Sequence, residues 1–89
     1  MPVIEINYDL HAPDKNYDRV IEKVKSFGGW CHVLASCWLV AGAYITLDGV
    51  YEAMRSAMDA NDHVLVREFR KPYRGWLRQE VHDWIDQHA

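Results

Sequence analysis

The chain opens with a strict two-residue alternation between positions 3 and 10, which limits the folds available to it. Period-two patterning with β-branched residues predicts a β-strand that has one apolar face and one polar face. The apolar face carries Ile4, Ile6, Tyr8 and Leu10, and the other carries Val3, Glu5, Asn7 and Asp9. We therefore predict a first strand that buries one face and ends at a carboxylate, Asp9.

A helix is predicted next, because apolar residues recur every three or four positions over residues 17–27. Residues 12–16 form a predicted loop, in which Asp14 or Asn16 can cap that helix. Gly28 follows the last apolar position and is expected to end the helix.

Two more segments have helical spacing, residues 47–58 and residues 77–88. Thr46 can cap the first of them, and Asp48 lies in its first turn, where the helix dipole favours a negative charge. The second predicts a short C-terminal helix.

Residues 30–42 form a long apolar run without a breaker. We predict two strands joined by a tight bend near residues 35–36, because Val, Trp, Cys and Leu dominate the run. A turn at residues 61–62 precedes a fourth predicted strand, over residues 63–69.

The predicted order is strand, helix, strand, strand, helix, strand and an added helix. This order is typical of the ferredoxin-like βαββαβ arrangement, an α+β fold with two helices on one face of a four-stranded antiparallel sheet. We predict one domain over residues 1–89, with its core in residues 3–69 and a basic segment and helix in residues 70–89. The first strand is then central, and Asp9 lies at its end on the face that the helices leave open.

Composition predicts an oligomeric state and a cellular compartment. The 89 residues are 49% hydrophobic and 12% aromatic, and such an excess on a small chain predicts a homodimer that covers apolar surface. Cys31 and Cys37 lack the CxxC spacing and no signal peptide precedes them, so we expect reduced thiols in a cytoplasmic protein. No run approaches transmembrane length, so we expect no membrane association.

The net charge is −3, but residues 67–78 hold five basic side chains against one acidic side chain, which leaves −7 for the rest. This basic segment has two interpretations. Arg70, Lys71 and Arg74 could bind the phosphates of a nucleic acid, or they could face the acidic remainder of the protein's own dimer.

Four features occur in an order that resembles a known family: "YDL" at residues 8–10, the loop with Pro13, "GGWCHVLASCWLV" at 28–40 and "DANDHVLV" at 59–66. The chain resembles the small CRISPR-associated Cas-two proteins, and more closely their stand-alone SinR-like relatives, which lie near the VapD-type toxins. The likeness covers Val3 to about Phe69, and "GWLRQEVHDWI" is shared only loosely.

The resemblance implies a homodimer whose two sheets pack through the open face, so that Asp9 comes close to its twin. It also implies a divalent cation, Mg²⁺, at the Asp9 pair. Some members are nucleases for RNA or DNA, and others are dimeric scaffolds for a CRISPR integrase. Cys37 and Trp38 after Ser36, with the separate Trp-rich helix, depart from the integrase-associated pattern, so the protein partner stays open.

Three residues are candidates for catalysis: Asp9, Ser36 and His32. A pair of Asp9 carboxylates would suit Mg²⁺, which takes one or two carboxylates and several waters; alternatively, Asp9 caps the turn that follows it. Under simple alternation Ser36 and His32 share a strand face, where the hydroxyl could bind Asp9 or a phosphate and the imidazole could transfer protons. Alternatively, both are ordinary polar residues, which is the usual explanation for a lone histidine on a strand.

The remaining aromatic and imidazole side chains carry weaker signals. The tryptophans could stack on bases or lie in the core or dimer interface. The other histidines lack metal-ligand spacing. These residues are Trp30, Trp38, Trp76 and Trp84, and His11, His63, His82 and His88.

Overall fold

Four strands and three helices make up the described part of the chain, which is residues 2–11 and 17–89 of a computed structural model. The predicted loop at residues 12–16, with its candidate caps Asp14 and Asn16, lies outside the described residues. In chain order the elements are β1 (Val3–Asp9), α1 (Tyr17–Lys25), β2 (Gly29–Leu34), β3 (Cys37–Ala41), α2 (Leu47–Ser56), β4 (His63–Glu68) and α3 (Gln79–His88). The predicted α+β class and every predicted element in these residues are confirmed.

The strands form one antiparallel sheet in the order β2-β3-β1-β4. β1 is central, as predicted, because Ile6 pairs with Trp38 of β3 on one side and with Val66 of β4 on the other. The bend between β2 and β3 falls at residues 35–36, also as predicted.

One face of the sheet is covered by α1 and α2, which fits the apolar positions in their sequences. Ile4 and Ile6 of β1 are fully buried against Val20 and Val24 of α1 and Met54 of α2. Burying each such side chain stabilises the fold by about 1.5–3 kcal/mol. The apolar face of the opening alternation is therefore the main core of the protein.

Local signals set the helix ends. The Thr46 hydroxyl accepts a hydrogen bond from the Gly49 N–H at 3.0 Å, so Thr46 caps α2 as predicted. Beyond α1, Gly28 has a φ of +132°, and a Cβ there would lie 2.8 Å from the Ala41 carbonyl oxygen. Only glycine fits this close approach between the end of α1 and β3.

The second face of the sheet is covered in part by α3, and this corrects the expectation that the whole face is open. Val81 and Ile85 of α3 are buried against Val3 and Leu39 in a second core cluster. Val3 lies on the face that the alternation marked as polar, because α3 covers that end of β1. The uncovered part lies toward the other end of β1, at Asp9.

Candidate functional site

Three polar side chains meet where β1 ends and β4 begins: Asp9, His11 and His63, here called the Asp9 cluster. Asp9 and His63 are cross-strand partners, so both side chains project from the partly open face. The His11 Nε2 atom lies 3.5 Å from Asp9 Oδ2. The rings of His11 and His63 meet edge to face, with 5.3 Å between their centroids.

Asp62 holds the backbone beside this cluster. Its side chain is buried, with 5% of the residue exposed, in the turn that precedes β4. One carboxylate oxygen accepts a hydrogen bond from the His11 N–H at 2.8 Å, and the other accepts one from the Asp59 N–H at 2.9 Å. Asp62 therefore ties the residues after β1 to the turn before β4 and fixes where His11 lies relative to Asp9.

The Asp9 carboxylate is open to solvent. Its side chain is 74% exposed, and among the described residues its ion-pair contact is with His11. A carboxylate can bind a cation, and an imidazole can accept or donate a proton. The described residues of one chain hold no group of three His, Cys, Asp or Glu side chains that could bind a metal ion. Oxygen donors from a second copy or from a phosphate would therefore be needed to complete a Mg²⁺ site.

Ser36 and His32 do not share a strand face, contrary to the expectation from alternation. Ser36 lies in the turn between β2 and β3, where its carbonyl accepts a hydrogen bond from the Tyr8 N–H at 3.1 Å. His32 stacks on Trp38 with 3.9 Å between ring centroids, on the face covered by α1 and α2. The sheet therefore separates the His32 ring from Asp9, and His32 cannot assist chemistry at that carboxylate in the same chain.

His11 and His63 lie beside Asp9 but carry no sequence signal that selects them as site residues. His11 follows Asp9 by two residues, but the spacing of its imidazole matches no metal motif. His63 lies far away in sequence, and only the pairing of β1 with β4 brings it to the cluster. The register of two strands was the missing information.

The basic side chains of residues 67–78 include some that form ion pairs within the chain and some that do not. Arg70 donates to Glu68 at 2.6 Å, and Lys71 Nζ lies 3.2 Å from Asp86 of α3, so both are paired within the chain. Arg67 and Arg74 have no ion pair with any residue in the described ranges. Within the described residues, Arg67 and Arg74 are therefore available to meet an external anion, and Arg67 lies opposite Glu5 in the β1–β4 pair.

A groove of about 550 Å³ runs between the sheet and the segment that joins β4 to α3. Leu39 and Cys37 of β3 form part of its floor, and Arg67, Arg74 and Trp76 lie at its mouth. Burial raises the pKa of the Cys37 thiol to about 11, with a smaller contribution from the Glu5 carboxylate. The thiol therefore stays protonated and adds an apolar surface to the groove.

The four tryptophans have different environments. Trp38 is buried, and its Nε1–H donates to the Tyr8 hydroxyl at 3.0 Å. Trp84, on α3, packs against the second core cluster, and Trp30, on the outer strand β2, is 42% exposed. Trp76 is 99% exposed.

Comparison of this chain with family models, with curated proteins and with solved structures gave no match. The helices in residues 2–11 and 17–89 are 9 or 10 residues long, and none has the length and apolar character needed to cross a bilayer.

Proposed function

We propose that the protein is a Cas-two-like homodimer with a ferredoxin-like fold, and that it cleaves phosphodiester bonds in RNA or DNA with Mg²⁺. The strand order β2-β3-β1-β4, with α1 and α2 on one face, supports the ferredoxin-like arrangement. The single observation that carries the function is the placement of Asp9. Its carboxylate is exposed at the end of a central strand, on a sheet face that is only partly covered.

The dimer would form through the uncovered part of that face. Leu65 of β4 projects from the same face as Asp9 and is 63% exposed. A two-fold axis places one patch against its own copy. Such an axis beside the end of β1 would cover Leu65 and would bring two Asp9 carboxylates together.

Two Asp9 carboxylates fit Mg²⁺ better than one does, because this ion takes oxygen ligands in an octahedron and keeps several waters. When bound, Mg²⁺ would neutralise charge on a phosphate oxygen and lower the pKa of a bound water. The residues of the chain then have distinct roles. Asp9 would hold the cation, and His11, which Asp62 keeps beside it, would accept or donate a proton.

To test this function, cleavage of labelled RNA and DNA with Mg²⁺ or Mn²⁺ is compared between wild type and Asp9→Asn. The substitution keeps the size of the side chain but removes its charge. We expect a loss of at least about a hundredfold in rate, since a lost ligand removes several kcal/mol of charge stabilisation. Without metal, the variant should dimerise as well as wild type or better, because two nearby carboxylates repel.

Asp48→Asn is the matched control, because it makes the same change at an exposed site on α2. It should cleave like wild type. Equal cleavage by wild type and Asp9→Asn would refute the catalytic role, and a monomer by light scattering at micromolar concentration would remove the Asp9 pair.

A second function is a non-catalytic dimer that binds nucleic acid or a protein partner. The observation that favours it is that the Asp9 cluster contains one carboxylate per chain, and that the described residues hold no three-ligand group. A dimer that cleaves neither RNA nor DNA but binds one of them would support this function.

A further inference from the structure

The groove beside β1 is a built surface, because hydrogen bonds fix its outer wall. The Phe69 N–H donates to the Val3 carbonyl at 2.8 Å, which anchors the start of the wall to the first strand. The Tyr73 hydroxyl lies 2.6 Å from His82 Nδ1 of α3, and the Phe69 and Tyr73 rings are 5.4 Å apart. The wall is therefore held at both the sheet and the helix, and the groove exists without a ligand.

The charge of the groove is positive. Arg67, Arg70 and Arg74 line it, against the single carboxylate of Glu5. Glu5 accepts a hydrogen bond from the neutral Asn7 amide at 2.9 Å and keeps its charge. It lies opposite Arg67 in the β1–β4 pair, although the two side chains form no ion pair in the described residues. Arg70 pairs with Glu68, so Arg67 and Arg74 together outweigh the Glu5 carboxylate. Guanidinium groups suit phosphate oxygens, which they can bind through two parallel hydrogen bonds.

Trp76 supplies a second kind of recognition at the same mouth. It is 99% exposed and lies two residues after Arg74. A tryptophan in water leaves a large apolar face uncovered, and unpaired bases stack on such faces with little regard to sequence. The paired bases of a duplex are already stacked on their neighbours and cannot use it.

We propose that this groove binds single-stranded nucleic acid, with phosphates at Arg67 and Arg74 and a base stacked on Trp76. The inference rests on the nucleic-acid part of the proposed function and does not require cleavage. Glu5 lines the groove and Asp9 lies four residues further along β1, a distance of roughly 13 Å at 3.3 Å per residue. A strand in the groove therefore passes within a few nucleotides of the Asp9 cluster.

Fluorescence anisotropy with labelled RNA and DNA oligonucleotides, single-stranded and duplex, tests the proposal. All proteins carry Asp9→Asn and are measured without divalent metal, so that cleavage does not enter. Trp76→Ala should weaken single-strand binding between about 5-fold and 150-fold, and Trp76→Tyr should restore most of it. Replacing Arg67 and Arg74 together with Gln should flatten the slope of log affinity against log salt by roughly 1.4.

Lys71→Gln is the matched control, because Lys71 belongs to the same basic segment but pairs with Asp86 and does not line the groove. Its binding should equal that of the parent protein. Equal affinity for duplex and single strand, equal losses in Lys71→Gln and the groove variants, or no binding at all would each overturn the proposal.

Dissociation of the dimer by the groove variants, without a change in binding, would also overturn it and would assign the groove to contact between copies. The cleavage assay tests the proposed function independently of the groove. An enzyme that loses activity in Asp9→Asn but binds equally well after the groove substitutions keeps its proposed function and loses this site.

Discussion

Replacing Asp62 should destabilise the protein more than any exposed carboxylate does. In Asp62→Ala, the N–H groups of His11 and Asp59 both lose their acceptor. A hydrogen bond to a charged group contributes about 1.5–3 kcal/mol, and partial access of water to these two groups reduces the cost. We expect the free energy of unfolding to fall by about 2–4 kcal/mol, with Tm lower by at least about 8 °C for a domain of this size.

Asp62→Asn tests the two hydrogen bonds of Asp62 individually. The amide keeps one acceptor oxygen but presents a donor to the other N–H, so one bond is retained and one is lost. We expect a loss of about 1–3 kcal/mol, smaller than that of Asp62→Ala. The free energies come from urea unfolding monitored by tryptophan fluorescence. Amide hydrogen exchange at His11 should be faster in both variants, because its N–H is freed or weakly held.

Glu22→Ala on α1 is the control, since Glu22 is exposed and should change stability by no more than about 0.5 kcal/mol. A value for Asp62→Ala inside that same range would refute the reasoning. It would mean that water replaces the carboxylate at both N–H groups, and that Asp62 does not hold His11 in place.

Two other predictions follow from buried groups. Tyr8→Phe removes the acceptor of the buried Trp38 Nε1–H. We expect the free energy of unfolding in urea to fall by about 1–3 kcal/mol, and a change below about 0.5 kcal/mol would contradict this prediction. Because the pKa of Cys37 is raised to about 11 from 9.0, iodoacetamide at pH 8 should label it roughly 100-fold more slowly than an unfolded cysteine, and equal rates would refute the shift. The same raised pKa means that the unfolded chain ionises first, so stability should fall as the pH rises above 9.

Local patterns predicted most of the fold. The alternation at residues 3–10 and the apolar repeat of α1 each act within a few residues, so sequence spacing determines them. The cap at Thr46 and the glycine after α1 are also local, and the structure has both.

The position of α3 was not predictable from its own spacing, because an amphipathic helix does not indicate which apolar surface it covers. A signal was present in β3, where Leu39 and Val40 point to opposite faces and are both buried. A strand that is apolar on both faces needs a cover on each side.

The candidate site was predictable only in part. Asp9 ends a patterned strand and was therefore selected, but its neighbours depend on strand register and on distant hydrogen bonds. His63 reaches Asp9 by cross-strand pairing, and His11 is held by Asp62, which lies 51 residues away. The error over His32 also comes from strand register: His32 pairs with Trp38, and Trp38 pairs with Ile6, so His32 lies on the face of Ile6 and not on that of Asp9. The pairing of separate strands cannot be read from residue spacing along the chain.

The position of α3 has a consequence for how the chain folds during synthesis. Val3 is among the first described residues to leave the ribosome, and its cover, Val81 and Ile85, is among the last. The sheet can pair once β4 has emerged, but the apolar surface that α3 covers stays exposed until α3 has emerged too. A nascent chain stalled between β4 and α3 would present a surface to which chaperones bind.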